Sequence, residues 1–304
     1  MARSGFLALT AAALLLATGA AQAADPVRVG SKIDTEGSLL GNVILQVLEK
    51  HGVKTVNKIQ LGTTQVVRGA ITAGELDIYP EYTGNGAFFF NDEKDPAWKN
   101  ARQGYEKVKK LDADKNQLVW LTPAPANNTW TIAVRQDVAQ QNKLSSLEDL
   151  SGYLKKGGTF KLAASAEFIE RGDALPAFEK AYDFKLTQSQ LLSLAGGDTA
   201  VTIKAAAQQT SGVNAAMAYG TDGPVAALGL QTLSDPKGVQ PIYAPTPVIR
   251  ASVLKAWPDI DSWLKPVFSR LDEKTLQQLN AKIAVEGQDA SSVAREWLQQ
   301  QKLL

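Results

Sequence analysis

Between Gly74 and Gly86 the chain reads GELDIYPEYTGNG, which sets the carboxylates Glu75, Asp77 and Glu81 beside the rings of Tyr79 and Tyr82 and then breaks into a glycine-rich turn. Such a segment at the lip of a cleft suits a cation, because an aromatic face attracts positive charge by about 0.5–2 kcal/mol per contact, most strongly where water is excluded. Read alone, the segment is more simply a strand and turn with exposed tyrosines, and its acids are solvated or turn-forming. Catalytic signals are lacking elsewhere. The 304 residues contain no cysteine and a single histidine, His51, which precedes Gly52 at a helix end and reads as a solvated side chain. There is no Gly-x-Ser-x-Gly elbow or HExxH pair, and GGDTA at Gly196–Ala200 lacks the lysine of a phosphate loop. The residue types point to binding without chemistry, and to neither metal nor other cofactor.

These groups are carried by a chain of short alternating strands and helices. Residues 1–23 read as a cleavable export signal: Arg3, the apolar run Phe6–Leu16 and the Ala21-Gln22-Ala23 cleavage pattern. The apolar run is shorter than a membrane span and no cysteine is present to carry a lipid, so the mature protein is expected to be soluble in a periplasm. The whole chain has 32 Lys+Arg and 31 Asp+Glu, and loss of the signal removes Arg3 and no acid. The balanced charge that results argues against nucleic acid or an anionic membrane as partner. About 280 residues remain, enough for two lobes with separate cores. Val27 and Val29 begin a strand. Thr35 is the expected cap of a helix with Leu39, Leu40, Val43, Ile44, Val47 and Leu48 on one face. A strand from Ile59, a helix through Val66–Ile71 and a strand Ile78–Tyr82 complete a βαβαβ order that predicts a largely parallel sheet. Residues 91–117 read as solvated helix and loop. Pro123 and Pro125 mark a crossover to a second lobe, with strands Trp130–Val134, Phe160–Ala164 and Ala215–Tyr219 and helices Ala166–Tyr182 and Thr199–Gln209. Pro241, Pro245 and Pro247 mark the return, and the C-terminal region is helical. Two crossovers imply a hinge, with a small-molecule cleft beyond the carboxyl ends of the strands.

Six segments then carry a resemblance: SKIDTEGSLLGNVI from Ser31, GELDIYPEYTGNG from Gly74, NNTWTIAV from Asn127, EFIERGDALPAFEKAY from Glu167, YGTDG from Tyr219 and PIYAPTPVIR from Pro241. In this order they resemble the glycine betaine/carnitine/choline-binding proteins of osmoprotectant ABC importers, the OpuAC-like or ProX-like group, and within it the periplasmic OsmF/YehZ type. The resemblance spans essentially the whole mature chain. It implies an α/β fold of the two-lobed, type II periplasmic-binding-protein kind, with two hinge crossovers and a ligand cleft between lobes. The lobe boundaries expected are 24–127 plus 243–304 for lobe I and 128–242 for lobe II. It also implies a monomer that hands its ligand to an ABC transporter permease in the inner membrane. By motif, Tyr82, Trp130, Tyr219 and Tyr243 are the implied cage for a quaternary ammonium, and Lys32 and Arg171 the partners of the ligand carboxylate. Trp130 stands where many relatives have Tyr, and Asn85 where many have Thr.

These residue types fit that ligand. A trimethylammonium offers no N–H, so hydrogen-bond acceptors cannot read it, whereas ring faces can. A carboxylate needs a separate anchor, for which Arg171 offers a planar fork and Lys32 a point charge just before a helix N-terminus. Betaine-type zwitterions are therefore expected to bind better than choline. Taken singly, each tyrosine is more commonly packing, Trp130 can fill a lobe interior, and Lys32 and Arg171 can form ordinary ion pairs. Asp222 reads as a cap for the following helix. The main alternative is a binding protein for another small zwitterion such as an amino acid or opine, whose primary ammonium would call on Asp77 or Glu81. An envelope adaptor without transport function would give the rings no reason to converge.

Overall fold

The computed structural model describes residues 25–304, so the export-signal expectation lies outside the described residues. Ten strands form two five-stranded sheets. The first contains β1 (Val27–Lys32), β2 (Thr55–Gly62), β3 (Ile78–Tyr82), β4 (Leu118–Trp120) and β10 (Pro245–Arg250), in the order β2-β1-β3-β10-β4. The second contains β5 (Trp130–Arg135), β6 (Leu162–Ser165), β7 (Leu191–Leu194), β8 (Ala215–Tyr219) and β9 (Leu230–Thr232), in the order β7-β6-β8-β5-β9. The chain leaves the first sheet after β4 and returns only in β10, along the two proline-bearing stretches.

Neither sheet is as parallel as the alternation of elements predicts. The strands β1, β2 and β3 run parallel, but β10 is antiparallel to both β3 and β4, and β5 is antiparallel to β8 and β9. Each mixed sheet is the consequence of a strand that arrives by a crossover rather than through a βαβ unit. Period-two alternation serves both faces of the first sheet. Ile78 and Ile249 pack with the Thr35–Lys50 helix and the C-terminal helices, while Tyr79 and Val248 pack with Trp98 and Trp120 on the other face. In the second sheet Ile132, Val134 and Met217 face one core, and Ala133, Ala216 and Ala218 face another. The first of those cores continues through Trp130 and Tyr243 to Tyr82 on the first sheet.

Local departures from the sequence reading have local causes. Asp34, not Thr35, caps the first long helix, its carboxylate accepting from Gly37 N at 2.6 Å. The helix expected over Ala166–Tyr182 is two, Ala166–Glu170 and Leu175–Tyr182, interrupted where Arg171 takes an extended backbone. The strand expected at Phe160 begins at Leu162, and the helix from Thr199 ends at Ala207. Within the polar stretch 91–117, Trp98 is fully buried. No helix among the described residues is long and apolar enough to cross a membrane.

Candidate functional site

The register of the strands places the rings. In the second sheet Trp130 lies directly opposite Tyr219 across the antiparallel β5–β8 pair, so the two side chains share a face. Their rings stack at 6.2 Å between centroids with 18° between planes. In the first sheet Tyr82 ends β3 opposite Pro245, and Tyr243 lies just before that residue. The Tyr243 ring meets Trp130 at 6.0 Å. Tyr82, Trp130, Tyr219 and Tyr243 line one cavity of about 20 Å³, together with Lys32, Asp34, Thr64, Asn85 and Asn128. That volume admits about one water. A larger, open groove of about 970 Å³ runs between the second sheet and the Glu273–Ala284 helix, and of the predicted residues it contains only Trp130 and Tyr219.

Six of the seven predicted residues therefore line the cavity, and Arg171 lies behind it. Its guanidinium is 4.6 Å from the centre of the Trp130 ring and 4.2 Å from that of Phe88. The guanidinium fork is already filled: Nε and Nη2 donate to the two oxygens of Asp173 at 2.6 and 2.9 Å, Nη1 donates to Glu167, and Nη2 also donates to Asn85 Oδ1. Lys32 is likewise engaged. Its Nζ is 2.7 Å from Glu81 and 4.7 Å from the centre of the Tyr82 ring. Both cations expected to meet a ligand carboxylate hold protein carboxylates here.

The acids correct the sequence reading. Glu81 is not solvated but wholly buried, accepting from Tyr82 N, Asn85 Nδ2 and the Tyr79 hydroxyl as well as pairing with Lys32. Asp77 is also buried, held by Arg28 and Arg250. Asp222 caps no helix. It accepts from Tyr219 N at 2.7 Å and from the Thr199 hydroxyl at 2.9 Å, which fixes the Tyr219 end of β8.

Several buried or partly buried acids beside the cavity escaped the sequence reading. Glu36, in the first turn of its helix, is buried and gathers donors from distant segments: the Tyr82 hydroxyl at 2.9 Å, Asn128 at 2.7 Å and Asn280 at 2.8 Å. Burial pushes its pKa up, and those bonds pull it back in part. Burial likewise raises Asp34 to about 6, opposed by the Gly37 amide and Lys32 and reinforced by Glu36 and Asp198. Asp222 is pushed up to about 8 by burial, opposed by its two donors. The Thr35 hydroxyl donates to Asp198 at 3.1 Å and so ties the two sheets' helices together beside this cluster. The walls of the cavity are thus aromatic, with more carboxylates than cations behind them. Trp130 Nε1 and the Tyr243 hydroxyl, both buried, have no hydrogen-bond partner among the described residues. Buried donors in that condition are groups a polar ligand atom can satisfy.

Two mixed α/β sheets joined by two crossovers, with rings from both converging on a buried cavity, define a two-lobed periplasmic-binding-protein fold built to hold a small solute. The chain belongs to the OpuAC family, the substrate-binding domain of ABC-type glycine betaine transport systems, which matches residues 25–300. It is 81% identical over 279 residues to the glycine betaine-binding protein YehZ of Escherichia coli (strain K12), covering 92% of each chain. A glycine-betaine-binding protein of Pseudomonas aeruginosa is 33% identical over 302 residues, covering 97% of this chain and 93% of the relative. Among solved structures, apo YehZ from Escherichia coli matches with a TM-score of 0.68 at 80% identity, over 92% of this chain and all of the other.

Proposed function

We propose that this chain is the periplasmic receptor of an osmoprotectant ABC importer and that it binds glycine betaine or a related trimethylammonium zwitterion. The observation that carries this reading is the convergence of Tyr82, Trp130, Tyr219 and Tyr243, from four separate segments, on one cavity. Ring faces around a dry methylated cation supply several contacts of about 0.5–2 kcal/mol each. The carboxylates behind the rings leave the site attractive to positive charge. The ligand's own carboxylate goes to the Lys32 and Arg171 side of the cavity, with Asn85, which already bridges Arg171 and Glu81, between them. The unpartnered Trp130 Nε1 and Tyr243 hydroxyl supply further donors.

The cavity is too small for such a ligand as it stands, so binding requires the walls to separate. The two crossovers are the hinge for that motion, with residues 24–127 and 243–304 moving as one lobe against 128–242. The protein acts as a monomer, performs no chemistry on its ligand, and delivers it to a permease in the inner membrane. Export by cleavage after residue 23 places it in the periplasm. Calorimetry with glycine betaine, proline betaine, carnitine, choline, ectoine and a plain amino acid tests the reading. Saturable binding of the betaines that is lost with Trp130→Ala is the expected result. Binding of the amino acid alone would instead favour a receptor for primary ammonium zwitterions.

A further inference from the structure

Lys32 stands in the cavity wall in a position that an ordinary carboxylate anchor does not need. Its ammonium is 4.7 Å from the centre of the Tyr82 ring, in the geometry a bound cation would adopt. Glu81 holds it there at 2.7 Å, and the Lys32 side chain is only 9% exposed. Both partners belong to the first sheet. Val29 pairs with Ile78 across the parallel strands β1 and β3, and Lys32 and Glu81, each three residues further along its strand, meet side chain to side chain. The contact with Tyr82 is therefore fixed within one sheet and does not depend on how closely the other sheet approaches.

We propose that Lys32 is a tethered competitor for the cage and the residue by which the site separates zwitterions from plain cations. A ligand ammonium and the Lys32 ammonium cannot share the cavity-facing side of Tyr82, because two like charges at contact repel and the space is too small. The ligand must displace Lys32. A betaine brings a carboxylate that receives the displaced ammonium in a new charge-assisted hydrogen bond. Choline brings only a hydroxyl, so the displaced ammonium loses its ring contact without gaining an anion. Discrimination thus arises from a penalty on the wrong ligand as well as an attraction for the right one. The inference rests on the trimethylammonium reading of the cavity.

The test is calorimetric titration of the mature protein with glycine betaine and with choline chloride, in wild type, Lys32→Met and the double variant Lys32→Met/Glu81→Gln. The double variant removes the acid together with its cation, so that Glu81 is not left as an unpaired buried charge and does not itself recruit choline. Choline is expected to bind about tenfold tighter in both variants, the equivalent of one cation–π contact returned to the ligand. The preference for betaine should narrow accordingly. Choline binding that is unchanged or weaker in the double variant overturns the proposal. Weaker betaine with unchanged choline would show Lys32 to be a carboxylate anchor alone. If the wild type bound neither ligand, the trimethylammonium reading itself would fall, whatever the variants did.

Discussion

Arg28–Asp77 and Lys32–Glu81 join the same two neighbouring stretches of chain, β1 and the entry to and end of β3. The first pair is at the start of the strands and the second at their carboxyl ends, four residues apart and so about 13 Å along the strand. One register produces both, since Val29 lies opposite Ile78. Their surroundings differ. Arg28 is 34% exposed and grips Asp77 with two side-chain bonds, and Arg250 adds a third. Asp77 in return accepts from the Arg28 backbone amide, so the pair fastens the start of the two strands as a strut. Lys32 and Glu81 are 9% and 0% exposed, and Lys32 lines the ring-lined cavity with Glu81 behind it. The same chemistry is structural where the strands begin and belongs to the site where they end, as expected of open α/β sheets, whose ligands sit beyond the carboxyl ends.

The largest expected difference between the two pairs is in stability. Glu81→Ala leaves the Lys32 ammonium, the Tyr79 hydroxyl and the Asn85 amide without their acceptor. Breaking a buried pair from one side costs about 3–5 kcal/mol, so chemical denaturation should show a loss of that order. A loss no larger than that of Asp77→Ala would erase the contrast between the two pairs.

The two ends should also respond to pH in opposite directions. Burial pushes Asp77 up, but the bonds from Arg28 outweigh it and hold the carboxyl below its ordinary value. A depressed acid contributes stability that is present above the ordinary carboxylate range and is lost as pH falls through the depressed value. Asp34 and Asp222 are raised to about 6 and about 8. Raised acids bind protons more tightly folded than unfolded, so their effect is to lower stability as pH rises from about 4 to about 8. Both are only half-buried, so the combined change should be on the order of 2 kcal/mol. Thermal melting of wild type and Asp222→Asn across that range is the check. The variant should flatten the decline between pH 6 and 8, and identical curves would show that Asp222 does not titrate there.

Binding separates the ends next. Tyr219→Ala removes one ring from the cavity and should weaken glycine betaine by about tenfold, the worth of one desolvated cation–π contact. Equal affinities measured by calorimetry would remove Tyr219 from the cage.

The difference between the two ends also marks what the sequence reveals. The four rings are legible because each falls in a short motif, and the helices behind them follow from apolar spacing. What the motifs do not contain is register. Arg28 and Lys32, like Asp77 and Glu81, are four apart in sequence, but only the β1–β3 alignment turns two charge patterns into two pairs, one partly solvated through its arginine and one buried. Without it the acids of GELDIYPEYTGNG read as solvated. Glu36 is less legible still. It looks like an ordinary acid in a first helical turn, and its partners Tyr82, Asn128 and Asn280 are 46, 92 and 244 positions away. Asp34 did carry a signal, as an acid three residues before Gly37 at a helix start, the position of a side-chain cap. The break at Arg171 arises from tertiary bonds to Asp173, Glu167 and Asn85 that outweigh the helical spacing on either side.

The smallest expected effect is also the one that bears most directly on the comparison. Asp77→Asn keeps the shape of the side chain and weakens its bonds to two arginines that are each about a third exposed. Such partly solvated pairs are worth about 1 kcal/mol or less, so the melting temperature should fall slightly. Glycine betaine affinity should stay within about twofold of wild type, because substitutions more than about 10 Å apart with no shared partner act independently. The two pairs share strands but no side chain, and Val29 between them is fully buried in the first core. A stiff strand could still carry a shift from one end to the other, and calorimetry on Asp77→Asn distinguishes the cases. An affinity change well beyond twofold would mean that the strut at the start of β1 sets the position of Lys32 at its end, and that the two ends form a single mechanical unit.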